Sequence, residues 1–197
     1  MKVNIHTNYL VGEQCKEFLK VNLPPYWEYT DDPDESDVYI SILSQKLIKK
    51  DFIDKRQCFN FHVGILPMYG GTGIIPQVII NGEKECGITL HRIIDDGIDN
   101  GDIIDIRKFE VLPDDTGDTL FQRAIDNVFE MFKMYGVRLL LNQWWSAKQE
   151  EPVKLYYKKD MEKLKDITPI IRAFTFEGKE NAYWLDSNSH KQYVKYE

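Results

Sequence analysis

Residues 58–64 read Cys-Phe-Asn-Phe-His-Val-Gly, an apolar run that carries two polar side chains, Asn60 and His62. Side chains two positions apart on a β-strand project from the same face, so the run predicts a buried strand presenting an amide and an imidazole together. Gly64 and Pro67 end the strand and place both side chains near its carboxyl end, where ligands of open α/β sheets bind. Taken alone, such a pair is more often two hydrogen-bonded core residues than a functional site.

Further strands and helices alternate on both sides of this run. β-Branched and apolar runs predict strands at 3–7, 26–30, 37–43, 87–94 and 102–111. Helical spacing predicts helices from residue 12, at 45–55 and 74–81, and from Asp118 to about Trp145, with Asp115 or Thr116 as the N-cap of the last. Crossover connections favour parallel pairing, so we predict an α/β fold with a Rossmann-like core and a mostly parallel twisted sheet.

The character of the sequence changes after Ser146. Runs at 170–176, 182–185 and 192–196, separated by turns at Gly178 and 186–189, predict a small C-terminal β-hairpin subdomain. A chain of 197 residues is too short for two ordinary domains. We therefore expect a core over residues 1–148 and a linker with the hairpin over residues 149–197.

Charge and composition restrict the kind of partner. A formal net charge of −7 would repel a polyanion, which argues against a nucleic-acid partner. The first residues lack the basic and apolar regions of a signal peptide, and no apolar run is long enough to cross a bilayer, so we expect a soluble, cytoplasmic protein with no membrane partner. Cys15, Cys58 and Cys86 are odd in number and widely spaced, which predicts reduced packing residues.

The strand with Asn60 and His62 continues into a longer pattern. Residues 60–71 read Asn-Phe-His-Val-Gly-Ile-Leu-Pro-Met-Tyr-Gly-Gly, and residues 96–102 read Asp-Gly-Ile-Asp-Asn-Gly-Asp. An Asn-x-His strand that runs into Leu-Pro, followed some tens of residues later by an acidic Asp-Gly-x-Asp-x-Gly loop, resembles the catalytic core of the 10-formyltetrahydrofolate-dependent formyltransferase family. The order, the spacing and the glycine positions all agree with that family from Asn60 to Asp102.

The resemblance implies roles for three side chains: Asn60 and His62 stabilise an oxyanion, and Asp99 is the essential acid. It also implies 10-formyltetrahydrofolate as the formyl donor, and no metal. Formyl transfer to an amine passes through a tetrahedral intermediate whose oxygen becomes negative, and an amide and an imidazolium are suitable donors to that oxygen. An adjacent Asp99 would raise the pKa of His62 and could accept, directly or through water, the proton that the amine loses.

The same resemblance assigns the surrounding residues. Those implied for the folate pocket are Ile42, Leu43, Ser44, Ile94, Asp95, Asp96 and Gly97, and those implied for the acceptor are Tyr69, Gly71 and Thr72. A calcium-binding EF-hand fits the acidic loop poorly, because position six counted from Asp95 is Asn100 instead of glycine, although an Asx-rich turn remains an alternative. His91, on a predicted strand, is expected to be structural.

The tail indicates the acceptor. Residues 171–178, Ile-Arg-Ala-Phe-Thr-Phe-Glu-Gly, and residues 181–183, Asn-Ala-Tyr, resemble the C-terminal segment of sugar N-formyltransferases. This implies a nucleotide-linked amino sugar as the acceptor, with dTDP-4-amino-4,6-dideoxyhexose as the first choice, and a homodimer. The alternatives are a glycinamide ribonucleotide or methionyl-tRNA formyltransferase, or a non-catalytic ligand-binding protein that retains the fold.

Overall fold

The computed structural model describes residues 1–44, 46–157 and 168–178, and the backbone of two short strands at 183–185 and 191–193. The first 140 residues contain, in chain order, β1 (Lys2–Thr7), α1 (Leu10–Val21), β2 (Glu28–Tyr29), β3 (Val38–Ile42), α2 (Lys50–Ile53), β4 (Gln57–Val63), β5 (Gly70–Gly71), α3 (Ile74–Ile80), β6 (Glu85–Arg92), β7 (Ile103–Glu110) and α4 (Gly117–Leu140). They are followed by β8 (Leu155–Tyr156), α5 (Thr168–Ala173), β9 (Tyr183–Leu185) and β10 (Lys191–Tyr193).

Six strands form the central sheet, in the order β2-β1-β3-β4-β6-β7. The pairs β1–β2, β1–β3 and β3–β4 are parallel, whereas β4–β6 and β6–β7 are antiparallel. Val38–Ile42 is buried at every position, as expected for a strand covered on both faces. The predicted α/β fold with a mostly parallel sheet is confirmed, and β4 is the strand at which the sheet turns from parallel to antiparallel.

The long helix α4 covers one face of the sheet together with α1. Its buried side chains include Leu120, Val128 and Phe132, which join the main hydrophobic core. Thr116 caps its first turn, because the Thr116 hydroxyl accepts from the Thr119 N–H. The helix ends at Leu140, not near Trp145 as predicted, and Asn142 follows with a left-handed φ of 54°.

The tail differs from the prediction in one element. Residues 168–173 form helix α5, where a strand was predicted at 170–176. Pro169 lies in the first turn of this helix, a position that tolerates proline because its missing N–H would have no intrahelical partner. The helix packs on the start of α4: a Cβ added at Gly117 would meet the Ala173 carbonyl oxygen at 2.1 Å. Strands β9 and β10 pair antiparallel, and the rest of the predicted hairpin lies outside the described residues.

Two further sequence expectations concern the cysteines and membrane-spanning helices. All three cysteines are free and buried, and burial raises the pKa of each thiol to about 12. Within the described part of the chain, no helix combines the length and the apolar character that a membrane span requires.

Candidate active site

The side chains of Asn60, His62 and Asp99 converge at one point of the sheet. Asn60 and His62 lie two positions apart on β4 and share a face, while Asp99 lies on the loop between β6 and β7. The Asn60 amide donates to Asp99 Oδ1 at 3.3 Å, and His62 Nδ1 lies 3.5 Å from Asp99 Oδ2. The structure thus joins the three residues that the sequence pattern singled out, although 37 residues separate His62 from Asp99 along the chain.

Backbone groups fix the carboxylate of Asp99. Asp99 adopts a left-handed φ of 53°, a conformation that costs a non-glycine residue roughly 1–2 kcal/mol. The Gly71 N–H, from the short strand β5, donates to Asp99 Oδ2 at 2.8 Å. A side chain that the sequence reasoning did not consider, Gln149, donates through Nε2 to the Asp99 and Gly101 carbonyl oxygens at 2.7 and 2.9 Å.

His91, which the sequence led us to expect as a structural residue, belongs to the same cluster. Its Nε2 lies 3.1 Å from Asn60 Nδ2 and 3.4 Å from Asp99 Oδ1, and its Nδ1 lies 2.8 Å from the Arg92 carbonyl oxygen. Because a carbonyl oxygen can only accept, the His91 ring donates from Nδ1 to Arg92, and its Nε2 faces Asn60 and Asp99. The antiparallel register of β4 and β6, which sets His91 opposite Asn60, is the signal that would have found it.

Electrostatics correct one expectation about His62. Burial lowers the pKa of His62, and the raising effects of Asp99 and of the Tyr69 carbonyl oxygen do not offset it. The ring is therefore neutral near pH 7 and donates from Nε2 to the Tyr69 carbonyl oxygen at 2.7 Å. Burial would raise the pKa of Asp99, but His62, His91 and the Gly71 N–H outweigh it and hold that pKa well below its usual range. Asp99 is ionised.

A cleft with two lobes opens beside this cluster. The acidic lobe, of about 130 Å³, lies against the loop between β6 and β7 and is lined by Lys46, Arg92, Asp95, Asp96 and Gly97. The aromatic lobe, of about 500 Å³, is lined by Tyr9, Leu43, Ile75, Phe121 and Phe176. Both lobes are bordered by Ser44, Asn60, His62, Gly71 and Thr72. Asn60 and His62 therefore lie where the two lobes meet, and His91 and Asp99 line the acidic lobe.

Most of the other predicted contact residues border this cleft, and three do not. Ile42 is completely buried in the main core, which leaves its side chain no contact with the cleft. Ile94 is exposed but lines neither lobe. Tyr69 is also buried: its hydroxyl donates to Glu83 at 2.5 Å and accepts from Asn81 at 2.9 Å, so only its carbonyl oxygen contributes, by holding His62. Sequence position alone did not distinguish side chains that point into the core from those that face the cleft.

The histidines and carboxylates here do not form a metal site. Across the residues described, no group of three or more His, Cys, Asp or Glu side chains is arranged to hold a metal ion. What the cluster offers is hydrogen-bond donors, a proton-accepting imidazole and a fixed negative charge, a set suited to transfer of a group between two nucleophiles.

Known protein sequences resemble parts of this chain. The Formyl transferase family profile matches residues 32–133, just over half of the chain. A methionyl-tRNA formyltransferase of Thermosipho melanesiensis is 30% identical over 156 residues, which cover 74% of this chain and 48% of that protein. A GDP-perosamine N-formyltransferase of Brucella melitensis is 36% identical over 111 residues, or 55% and 42% of the two chains. The chain thus spans less than half the length of these relatives.

Solved structures share the fold over more of the chain. A sugar N-formyltransferase from a Shewanella species superposes with a TM-score of 0.84 at 16% identity, covering 100% of this chain and 97% of that one. An N-formyltransferase from Helicobacter canadensis, solved with folinic acid and dTDP-3-aminofucose, gives 0.72 at 22% identity, covering 89% and 80%. Fold, Asn-x-His strand, acidic loop and family profile agree, and the chain belongs to the formyl transferase family.

Proposed function

We propose that this protein is an N-formyltransferase that moves a formyl group from 10-formyltetrahydrofolate to the amine of a nucleotide-linked amino sugar. The observation that carries this proposal is that Asn60 and His62 line both lobes, while Asp99 lies against both side chains and lines the acidic lobe. A donor in one lobe and an acceptor in the other would bring a formyl carbon and an amine together beside the same three side chains. Such positioning removes much of the entropic barrier to a two-substrate reaction.

The acidic lobe suits the donor. Carboxylates of Asp95 and Asp96 and the backbone at Gly97 present hydrogen-bonding groups along one wall, as the edge of a pterin ring requires. Directly after strand β3, Ser44 borders the acidic lobe and Leu43, with a left-handed φ of 51°, borders the aromatic lobe. When bound, 10-formyltetrahydrofolate would supply an activated formyl carbon, and the Helicobacter canadensis structure, with folinic acid, holds a folate on the same fold.

The state of the cluster indicates how protons move. Neutral His62 takes the proton that the acceptor amine loses as its nitrogen bonds to the formyl carbon, and ionised Asp99 stabilises the resulting imidazolium. The Asn60 amide lies beside His91, and it donates to the carbonyl oxygen as that oxygen becomes negative by turning away the N–H that it otherwise gives to Asp99. His62 then returns the proton to the departing nitrogen of the donor. Asp99 acts as a fixed charge, because its low pKa prevents it from holding a proton near neutral pH.

Charge and relatives favour a sugar acceptor. A net charge of −7 is poorly suited to tRNA, whose binding depends on many contacts from Lys and Arg. The tail resembles sugar N-formyltransferases, and the Brucella melitensis relative is named for a GDP-linked sugar. The first acceptor to test is dTDP-4-amino-4,6-dideoxyhexose, with its GDP- and UDP-linked counterparts beside it. We also propose a homodimer and a cytoplasmic location.

Mass spectrometry tests the activity directly. Purified protein, donor and each nucleotide-linked amino sugar should yield a product heavier by one formyl group, and Asp99→Asn should slow its formation by about 10²–10⁴-fold. Absence of product with every acceptor, although calorimetry shows that a stable folate analogue binds, would instead identify a non-catalytic folate-binding protein. Formylation of methionyl-tRNA in preference to any sugar would also overturn the proposal.

A further inference from the structure

Gln149 reaches back from the connecting segment to the acidic loop. Its Nε2 donates to the carbonyl oxygen of Asp99 at 2.7 Å and to that of Gly101 at 2.9 Å. The two acceptors lie 50 and 48 residues away along the chain, and the side chain is half-buried. One amide therefore holds both sides of the turn that carries Asp99.

The turn that carries Asp99 and Gly101 needs contacts from outside the loop to keep its conformation. The left-handed conformation of Asp99 is unfavourable for a residue with a Cβ, and residues in such conformations persist only when their surroundings fix them. Gly101 packs closely on the neighbouring backbone, because a Cβ there would lie 1.8 Å from the Arg92 carbonyl oxygen, so this position of the turn accepts only glycine. If the turn relaxed at Asp99, the carboxylate would leave His62 and the Gly71 N–H.

Residues 147–156, the segment that contains Gln149, also contact the chain that binds the Asp99 carboxylate. Ala147 pairs with Ile103 just after the acidic loop, and Tyr156 pairs with Gly71. Gly71 in turn donates its N–H to Asp99 Oδ2 at 2.8 Å. Residues 147–156 therefore hold Asp99 twice, through its own carbonyl oxygen and through its carboxylate.

We infer that Gln149 is a positioning residue for Asp99, and that residues 147–156 complete the catalytic site. This inference rests on the proposed function, and it assigns the first part of the predicted tail to the core. Gln149 touches no reacting atom in this arrangement; it acts by keeping Asp99 in the one backbone conformation that points its carboxylate at His62.

A matched pair of variants separates positioning from stability. Gln149→Leu removes both donations. Gln57→Leu removes a similar bond far from the cleft, where Gln57 Nε2 donates at 3.1 Å to Asn142, another non-glycine residue with left-handed φ. We expect Gln149→Leu to lower kcat roughly 10- to 100-fold with KM within about threefold, and Gln57→Leu to retain wild-type kcat. Equal kcat losses in both variants would overturn the inference.

An NMR titration of the His62 ring provides a readout that needs no turnover. Loss of the nearby carboxylate should shift the His62 titration to lower pH in Gln149→Leu and leave it unchanged in Gln57→Leu. If the wild type formylates no acceptor, the proposed function fails while this titration still decides the role of Gln149. If Gln149→Leu does not fold, Gln149→Asn retains an amide that is too short to reach both carbonyl oxygens. An unmoved His62 titration in a folded variant would overturn the inference.

Discussion

Two buried carboxylates in this protein have different surroundings. The side chain of Asp99 is 9% exposed and that of Asp115, just before α4, is 2% exposed. The Arg123 guanidinium binds both oxygens of Asp115 at 2.5 and 2.9 Å, and the Leu112 N–H and Thr119 hydroxyl complete the shell. Asp99 instead has two imidazoles at 3.4 and 3.5 Å, with hydrogen bonds from Asn60 and Gly71.

The difference distinguishes a permanently paired carboxylate, Asp115, from Asp99, which we propose is functional. Burial would raise the pKa of Asp115, but the hydrogen bond from Arg123 outweighs it and lowers that pKa. Arg123 is a permanent cation that cannot exchange a proton near neutral pH. The partners of Asp99 can be neutral or charged, so its environment can follow a proton during a reaction. Asp115 is paired tightly and permanently, whereas Asp99 is paired more loosely, with groups that can titrate.

The largest expected effect is on turnover. Asp99→Asn should lower kcat by about 10²–10⁴-fold, because the imidazolium of His62 loses its stabilising charge. The fold should persist, since asparagine tolerates the left-handed conformation of residue 99 better than most residues. Steady-state kinetics on the folded variant, checked by circular dichroism, measure this effect. Asp115→Asn, assayed at a temperature where it is folded, should keep kcat within about threefold, and a comparable loss there would contradict the distinction.

The second prediction concerns the contribution of Asp115 to the stability of the fold. Asp115→Ala should cost about 3 kcal/mol of unfolding free energy, because it leaves the guanidinium of Arg123 without its partner. For a chain of this size the loss corresponds to a decrease in Tm of roughly 6–12 °C. Thermal denaturation measures it, with the exposed neighbour Asp114→Ala as the control that should stay within about 0.5 kcal/mol. An Asp115→Ala variant as stable as the control would show that this ion pair contributes nothing.

The pH dependence of kcat tests the titratable partner. His62 must be unprotonated to take a proton, and burial places its pKa below the ordinary value of about 6.5. We expect kcat to be flat above about pH 6.5 and to fall about tenfold per unit at lower pH once His62 becomes protonated. Rates measured from pH 5 to 8 at saturating substrates give the midpoint. A kcat that declines as the pH rises from 6 to 8 would identify the imidazolium as the reactive form instead.

The smallest expected effect separates backbone from side chain at Tyr69. Tyr69→Phe removes the hydroxyl that bonds Glu83 and Asn81 but keeps the carbonyl oxygen that holds His62. Stability should fall by about 1 kcal/mol, while kcat and the KM for the acceptor stay near wild-type values. Chemical denaturation and kinetics on one preparation measure both. An increase of tenfold or more in the acceptor KM would restore Tyr69 as a substrate contact.

The sequence carried the parts of the site that depend on local order. Strand periodicity puts Asn60 and His62 on one face, and the resemblance of residues 60–71 and 96–102 to the formyltransferase core singled out these two residues and Asp99. The α/β class followed from the alternation of strand-like and helical runs. These features are encoded within short windows of sequence.

The parts that were missed depend on long-range pairing. His91 enters the site through the antiparallel register of β4 and β6, and Gln149 through a contact that spans 50 residues. The pKa of His62 depends on burial, which competes with the nearby charge and is fixed only by the complete fold. A strand was predicted at 170–176 because an apolar run of that length fits a strand as well as a helix. The structure has a helix over residues 168–173, which packs against Gly117 at the start of α4.

The three cysteines have a practical consequence. Because each thiol is 3% exposed or less and has a pKa near 12, maleimide reagents should leave the native chain unmodified. A single cysteine introduced at Leu47, which is exposed on the rim of the acidic lobe, would then carry the only dye on the molecule. Its fluorescence would follow the arrival and departure of a folate in real time, separately from any chemical step.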